Sequence, residues 1–166
     1  MGAKTYPKVK KFRPRNIEKY VGDISKIEAR SSWEMKLMRW MDEHPAVIKW
    51  GSENVVIPYF SSSENKMRRY YMDFFCFYKT AEGKARKILI EVKPYSQTIQ
   101  PTKRGRKKLE TYLNELKTYQ VNKDKWAAAE KYAKGMGWGF VIMTEYELYP
   151  EKFAKGRPQP KQKKRT

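Results

Sequence analysis

Apolar and polar residues recur with two different periods along the chain, and these periods predict its main elements. A spacing of three to four residues predicts a first helix over residues 32–43, which ends before Pro45. Alternation with a period of two predicts strands over residues 54–60, 67–78, 87–93 and 138–144. Two further helices are predicted over residues 108–119 and 123–134, the second ending at Gly135.

This order of elements predicts an α/β fold with a mixed sheet flanked by helices. The first three strands follow one another through short turns, so we expect them to pair as an antiparallel meander. The last strand is reached through helices, which favours parallel addition to the same sheet.

Charge is distributed unevenly along the 166 residues, whose formal net charge is +19. Residues 1–19 hold seven Lys and Arg against one acid, and residues 151–166 hold the same numbers. We therefore expect a flexible basic N-terminal arm over residues 1–15, a folded domain over residues 16–150 and a basic C-terminal tail over residues 151–166. Apolar residues make up 40% of the chain, enough for the middle to form its own core.

The positive field favours a polyanionic partner, with nucleic acid ahead of an anionic membrane surface. No apolar run approaches the length of a membrane span and no signal peptide is visible, so we expect no membrane partner. Cys76 is the only cysteine, which excludes an internal disulfide and indicates a reducing compartment. The chain has no phosphate-binding glycine loop, no zinc-type Cys/His cluster and no other sign of a small-molecule cofactor.

Two acids stand where the pattern places apolar residues. Glu34 lies inside the apolar arc of the first predicted helix, and Asp73 lies in the middle of a predicted strand among aromatic residues. Each has a structural alternative. Glu34 follows Ser31 with capping-box spacing, and Asp73 has Arg68 and Arg69 nearby as salt-bridge partners. At this point both interpretations stay open for each acid.

Glu91 and Lys93 lie on the same face of the third predicted strand, two residues apart. The Glu-x-Lys string occurs five times in the chain, but only this copy continues an apolar strand and stops at a proline, Pro94. The alternative is a solvated strand end with a weak ion pair.

Together these four residues fit a metal-dependent site that cleaves phosphodiester bonds. Asp73 and Glu91 would bind Mg²⁺ through oxygen, with Mn²⁺ able to substitute, and Glu34 would be a further ligand or hold a metal-bound water. Lys93 would orient the attacking water and offset developing negative charge. The single histidine, His44, lies at a predicted helix end, where it supports the helix rather than catalysis.

A basic loop directly after the third predicted strand is expected to grip DNA phosphates, the alternative being a solvated helix start. The residues expected to contact DNA are Lys103, Arg104, Arg106, Lys107, Lys108, Lys125, Arg68 and Arg69. No recognition helix or finger motif is present, so we expect cutting directed by the shape or end of the DNA rather than by its sequence.

Several segments resemble a known family in order along residues 15–148. They are Asn16-Ile17-Glu18-Lys19-Tyr20-Val21-Gly22-Asp23, Arg30-Ser31-Ser32-Trp33-Glu34, Trp50-Gly51-Ser52-Glu53, Val56-Ile57-Pro58-Tyr59, Arg68-Arg69-Tyr70-Tyr71-Met72-Asp73, Ile90-Glu91-Val92-Lys93-Pro94, Tyr119-Gln120-Val121-Asn122-Lys123-Asp124-Lys125-Trp126 and Met143-Thr144-Glu145. The chain resembles the PD-(D/E)XK nuclease superfamily in its TnsA-like branch, and more closely the head-completion proteins of T-even-type tailed phages.

The resemblance implies a restriction-endonuclease-like fold and Glu34, Asp73, Glu91 and Lys93 as the active-site set. One departure is Met72, which stands where the superfamily pattern has proline. The resemblance also implies a role late in phage head assembly, at the packaged DNA end and before tail joining, with portal and neck proteins as partners.

Our expectation is therefore a Mg²⁺-dependent endonuclease of double-stranded DNA. It would act in the host cytoplasm during assembly and could remain in the head–neck region of the virion. One alternative is a catalytically silent neck or connector protein that binds the packaged DNA end and the portal. A second is a basic RNA-binding domain, although the aromatic sheet signature of such domains is missing.

Overall fold

The computed structural model describes residues 9–157. Its helices and strands are β1 (Lys10–Lys11), β2 (Glu28–Ala29), α1 (Ser32–Glu43), β3 (Val47–Ser52), β4 (Val56–Ser61), β5 (Lys66–Tyr71), β6 (Phe74–Lys79), β7 (Ala85–Val92), α2 (Leu109–Gly135), β8 (Gly139–Met143) and α3 (Glu145–Leu148). Short 3₁₀ turns lie at Ile17–Lys19, Ile24–Lys26 and Tyr95–Gln97. No helix in the described range is long and apolar enough to cross a membrane.

A four-stranded mixed sheet forms the centre of the fold, with strand order β3-β6-β7-β8. The pairs β3–β6 and β6–β7 are antiparallel, whereas β7–β8 is parallel. The strands β4 and β5 form a separate antiparallel hairpin, and β1 pairs with β2. The α/β class, the flanking helices and the parallel last strand are thus confirmed.

The two faces of the sheet bury two different apolar clusters. One face packs Phe74, Ile90 and Val92 against α1, including Met38 and Met41. The opposite face packs against the β4–β5 hairpin and α2, through a cluster that contains Ile57, Tyr70, Met72, Leu89 and Ala129. Because successive residues of a strand point to opposite faces, β7 contributes to both clusters, as its predicted alternation requires.

The prediction of one long strand over residues 67–78 is wrong, since two strands occupy this range. The strand β5 ends at Tyr71, β6 begins at Phe74, and the break changes which face each side chain takes. Met72 packs with the hairpin and α2, whereas Phe74 packs with α1, although a continuous strand would have placed them on one face. An alternating pattern that continues through a short break gives no sign of the break in sequence.

The strand β3 was not predicted. The predicted three-strand meander is therefore wrong. Residues 47–52 supply the edge partner of β6, while the strand predicted at residues 54–60 is β4 of the separate hairpin. Trp50 of β3 is fully buried, with its ring edge-on to those of Phe12 and Tyr20. This segment does not alternate, because Trp50 and Gly51 are both buried and the pairing with β6 is irregular between Val47 and Lys49.

The helices agree with the prediction to different degrees. The helix α1 spans the predicted residues. Helical spacing predicts Trp40 inside the apolar arc and Asp42 outside it, but Trp40 is 50% exposed and Asp42 is 1% exposed. Asp42 is tolerated inside because it accepts backbone hydrogen bonds from Arg15 and Asn16. Instead of the two predicted later helices, one continuous helix, α2, covers both ranges and ends at Gly135. It contains neither glycine nor proline before that residue, so nothing interrupts it.

Parts of both expected arms belong to the described structure. Residues 10–11 form β1, and Phe12 is buried in the cluster on the α1 side of the sheet. At the other end, the ring of Phe153 contacts that of Tyr146, and Arg157 pairs with Glu147. Residues 1–8 and 158–166 lie outside the described range, so the flexibility of those segments stays a prediction.

Candidate active site

The break between β5 and β6 places Asp73 beside the end of β7. Phe74 pairs with Ile90 across the antiparallel β6–β7 ladder. The preceding residue, Asp73, therefore lies next to Glu91 at the edge of this ladder. The backbone N–H of Val92 donates a hydrogen bond of 2.8 Å to Asp73 Oδ2, which fixes the carboxyl group at this point. Neither of the suggested salt bridges, to Arg68 or Arg69, forms within the described part of the chain.

Glu91 is only 4% exposed, so the interpretation of a solvated strand end is wrong for this residue. Its Oε2 accepts a hydrogen bond of 2.7 Å from the Tyr70 hydroxyl, and its Oε1 lies 3.0 Å from Lys93 Nζ. The Lys93 side chain is itself 23% exposed. A buried carboxylate needs such partners, because leaving it unpaired would cost several kcal/mol.

The electrostatic environment of Asp73 and Glu91 disfavours a negative charge on both carboxyl groups at once. Burial, followed by repulsion from Glu91, raises the pKa of Asp73 to about 8, despite the opposing effects of the Val92 N–H and Lys93. Burial and the adjacent Glu91 carboxylate also raise the pKa of Tyr70, so its hydroxyl stays protonated and donates to Glu91. A bound cation would relieve the repulsion that keeps a proton on Asp73.

Glu34 is engaged at the start of α1, as the capping interpretation expects. Its backbone N–H donates a hydrogen bond of 3.1 Å to Ser31 Oγ, and its Oε2 accepts a hydrogen bond of 2.8 Å from the backbone N–H of Arg30. Its negative charge nevertheless contributes to the raised pKa of Asp73. Ser31 is thus the N-cap of α1, while Glu34 supports the helix start through the Arg30 N–H and adds negative potential to the site.

The donor chemistry of the site fits a hard divalent cation held by two acids rather than three. Across residues 9–157, no group of three or more His, Cys, Asp or Glu side chains is arranged to hold a metal ion. The expected set of Asp73, Glu91 and Glu34 is therefore not assembled as one ligand group. Mg²⁺ is commonly bound through one or two carboxylates, with water and substrate phosphate completing its coordination. Asp73 and Glu91 meet that requirement.

Tyr70 is the site residue that the sequence analysis missed. A continuous strand would have directed Tyr70 and Asp73 to opposite faces, and only the break brings both beside Glu91. Lys125 of α2 lies with Nζ 5.4 Å from the centre of the Tyr70 ring. Next to this contact is a cleft of about 370 Å³, whose lining includes Arg30, Glu53, Arg69, Tyr70 and Lys125.

The residues predicted to contact DNA fall into three groups. Those exposed on the loop before α2 are Lys103, Arg104, Arg106 and Lys108. Arg69 and Lys125 line the cleft beside Tyr70. Lys107 and Arg68 are already held in ion pairs with Glu115 and Glu64 respectively. His44 caps the C-terminal end of α1, and its Nδ1 accepts from the backbone N–H of Ala46.

An acid pair and a lysine at the ends of adjacent strands of a mixed sheet could hold a divalent cation against a phosphate and offset the negative charge that develops there. The chain belongs to the TnsA-like endonuclease family, whose N-terminal domain model matches residues 44–145. The matched range includes Asp73, Glu91 and Lys93 but not Glu34.

A more specific relative agrees with this assignment. The chain is 43% identical over 138 residues to the head completion nuclease of Enterobacteria phage T4, an alignment that covers 81% of this chain and 89% of the relative. The expected resemblance is therefore confirmed. No solved structure matches the chain.

Proposed function

We propose that this protein is an endonuclease that cuts duplex DNA during phage head completion. The observation that carries the proposal is the cluster at the end of the central sheet in which buried Glu91 meets the partly buried Asp73 and Lys93. Two neighbouring carboxyl groups shielded from water destabilise a fold unless a cation or hydrogen-bond donors offset their repulsion, and a strongly perturbed pKa is typical of functional sites. The name of the phage T4 relative supports both the activity and the stage of assembly.

Asp73 and Glu91 are the residues that would hold Mg²⁺, or Mn²⁺ in its place. The cation would polarise the scissile phosphate and lower the pKa of bound water. Lys93 donates to Glu91 and, being partly exposed, can turn its ammonium group toward an attacking water or a phosphate oxygen. Tyr70 fixes the other oxygen of Glu91, so the carboxylate is oriented before DNA arrives.

DNA would reach the site across the positively charged cleft and loop. Arg69 and Lys125 lie beside Tyr70, and the exposed cations Lys103, Arg104 and Arg106 follow the active strand along the chain. Contacts to phosphates position a duplex without reading its sequence. We accordingly propose an endonuclease without sequence specificity, acting in the host cytoplasm and in the head–neck region beside portal and neck proteins.

The proposal is tested by cleavage of linear and circular duplex DNA with Mg²⁺ or Mn²⁺. Wild type is expected to nick both DNAs, and Lys93→Ala is expected to lose at least ~100-fold in rate, about the contribution of one positioned charge-stabilising group (~2.7 kcal/mol). Lys87→Ala is the matched control, because it removes the same charge from an exposed position of the same strand.

Equal cleavage by wild type and Lys93→Ala would refute the assigned site. A chain that binds DNA in a salt-dependent manner but cuts none of these substrates would instead support the catalytically silent connector. Circular dichroism of each variant separates loss of activity from loss of folding.

A further inference from the structure

A second cavity begins at Ser96, three residues after Lys93, and its lining residues have no role in the proposed cleavage. Its volume is about 640 Å³, within the range of ~300–1,000 Å³ that small-molecule sites occupy. One wall is the loop over residues 96–102, which follows the active strand β7, and the other is the N-terminal half of α2. Lys107 bridges the two walls. Its Nζ donates a hydrogen bond of 3.2 Å to the Thr102 carbonyl of the loop and one of 2.7 Å to Glu115 Oε2 of α2.

The lining of this cavity is rich in uncharged hydrogen-bonding groups. It includes Gln97, Gln100, Asn114, Thr118 and Asn122. Asn122 is 6% exposed, and no hydrogen bond within residues 9–157 involves its carboxamide. Among residues 9–157, the side-chain atoms that are sealed from solvent without a partner are the indole nitrogens of Trp50 and Trp126, so the Asn122 carboxamide is accessible from the cavity and can bond a ligand there. The one acid in the lining, Glu115, is already neutralised by Lys107.

The same cavity offers surfaces on which a planar ring can stack. Tyr119 lies one turn of α2 before Asn122, and Ile99 of the opposite wall is 48% exposed. Amide groups that read the edge of a base, between aromatic and apolar side chains that cover its faces, are how enzymes hold a nucleotide outside the double helix. The charged residues of the lining, Lys107 and Glu115, pair with each other, so the walls suit a base rather than a phosphate.

Each wall of the cavity is connected, through a few residues, to a residue near Asp73 and Glu91. Ser96 is three residues after Lys93, a distance of at most about 11 Å along the chain. On the other wall, Asn122 is one helical turn from Lys125, whose Nζ lies over the Tyr70 ring, and Tyr70 bonds to Glu91. A nucleotide in the cavity would therefore neighbour the phosphate at the acids.

We propose that this cavity holds one unpaired nucleotide of the DNA beside the bond to be cut, so that the preferred substrate is a duplex with an unpaired base or frayed end. This inference rests on the proposed function, because it names the substrate feature recognised at the same site.

The test measures binding without cutting, by fluorescence anisotropy in EDTA. The probes are a fluorescein-labelled duplex and the same duplex with one unpaired central nucleotide. Wild type is expected to bind the second about tenfold more tightly, within the ~5- to 150-fold effect of stacking one base. Asn122→Leu, which keeps the approximate size but removes the amide, should reduce the ratio toward one by weakening the binding of the DNA with the unpaired nucleotide.

Two further variants make the outcome decisive. Gln120→Leu makes the same change on the exposed side of α2, outside the cavity lining, and should keep the full preference. Thr118→Leu narrows the cavity from an exposed position and should reduce the preference even if Asn122→Leu does not fold. Equal affinity of wild type for both DNAs would overturn the inference and leave the nuclease proposal standing. A failure to cut any DNA with Mg²⁺ would reject the nuclease proposal without changing this binding measurement.

Discussion

Replacing Asp73 by asparagine should stabilise the protein in a manner that depends on pH. The pKa of Asp73 is about 8 in the folded state and 3.8 without perturbation. Between these values the folded chain holds a proton that the unfolded chain has released. The free energy of unfolding therefore falls as pH rises through this window. The asparagine introduced by Asp73→Asn cannot ionise, yet its side-chain oxygen can still accept the hydrogen bond from the Val92 N–H.

The magnitude follows from the width of the window. Each pH unit inside it changes the free energy of unfolding by about 1.4 kcal/mol, so wild type should lose roughly 3 kcal/mol between about pH 5 and about pH 7 relative to Asp73→Asn. The assay is urea denaturation of both proteins in EDTA at several pH values. In a parallel series without EDTA, excess Mg²⁺ should stabilise wild type increasingly as pH rises, because the cation binds the ionised carboxylate, and should have little effect on the variant.

The control is Asp23→Asn, an identical change at an exposed position where hydrogen bonds from Ser25 lower the pKa. A lowered pKa contributes nothing to the pH dependence above the unfolded value, so this variant should run parallel to wild type from about pH 5 to about pH 7. Parallel curves for Asp73→Asn and wild type would refute the argument that burial and Glu91 keep a proton on Asp73.

Three further predictions address the supports of the site. Tyr70→Phe leaves one oxygen of buried Glu91 unsatisfied, and should lower the free energy of unfolding by about 1–3 kcal/mol in urea titrations while also reducing the cleavage rate. Ser31→Ala removes the side-chain cap of α1 and should lower the free energy of unfolding by about 1 kcal/mol. Its DNA affinity should be unchanged, which would show that the effect is confined to the helix start. If the exposed cations neutralise ~6 phosphates, the log–log slope of affinity against salt should be near −5, and replacing both Arg104 and Arg106 by glutamine should make it shallower by about 2.

Two outcomes would contradict the structural basis of these predictions. An unchanged free energy of unfolding for Tyr70→Phe would mean that water replaces the hydroxyl at Glu91. An unchanged salt slope after the double replacement would place the DNA away from the loop before α2, on the cleft beside Lys125.

The sequence alone determined the features that depend on local pattern. The helix α1 and the strand β7 follow from periodicity, and the charges of Asp73, Glu91 and Lys93 stand out because they interrupt apolar alternation. A charge on a buried face is visible in sequence, since the pattern that predicts the face is formed by its neighbours.

Only the tertiary structure decided which side chains meet. The two-residue break between β5 and β6 turns Tyr70 toward Glu91 and sends Phe74 to the other face, whereas an unbroken strand has the same alternating sequence. Asp42 and Asn122 are buried because long-range packing covers them, which no local period records. The sequence thus identified the charged groups, while the contacts that orient them and the cavity beside them arise from segments distant along the chain.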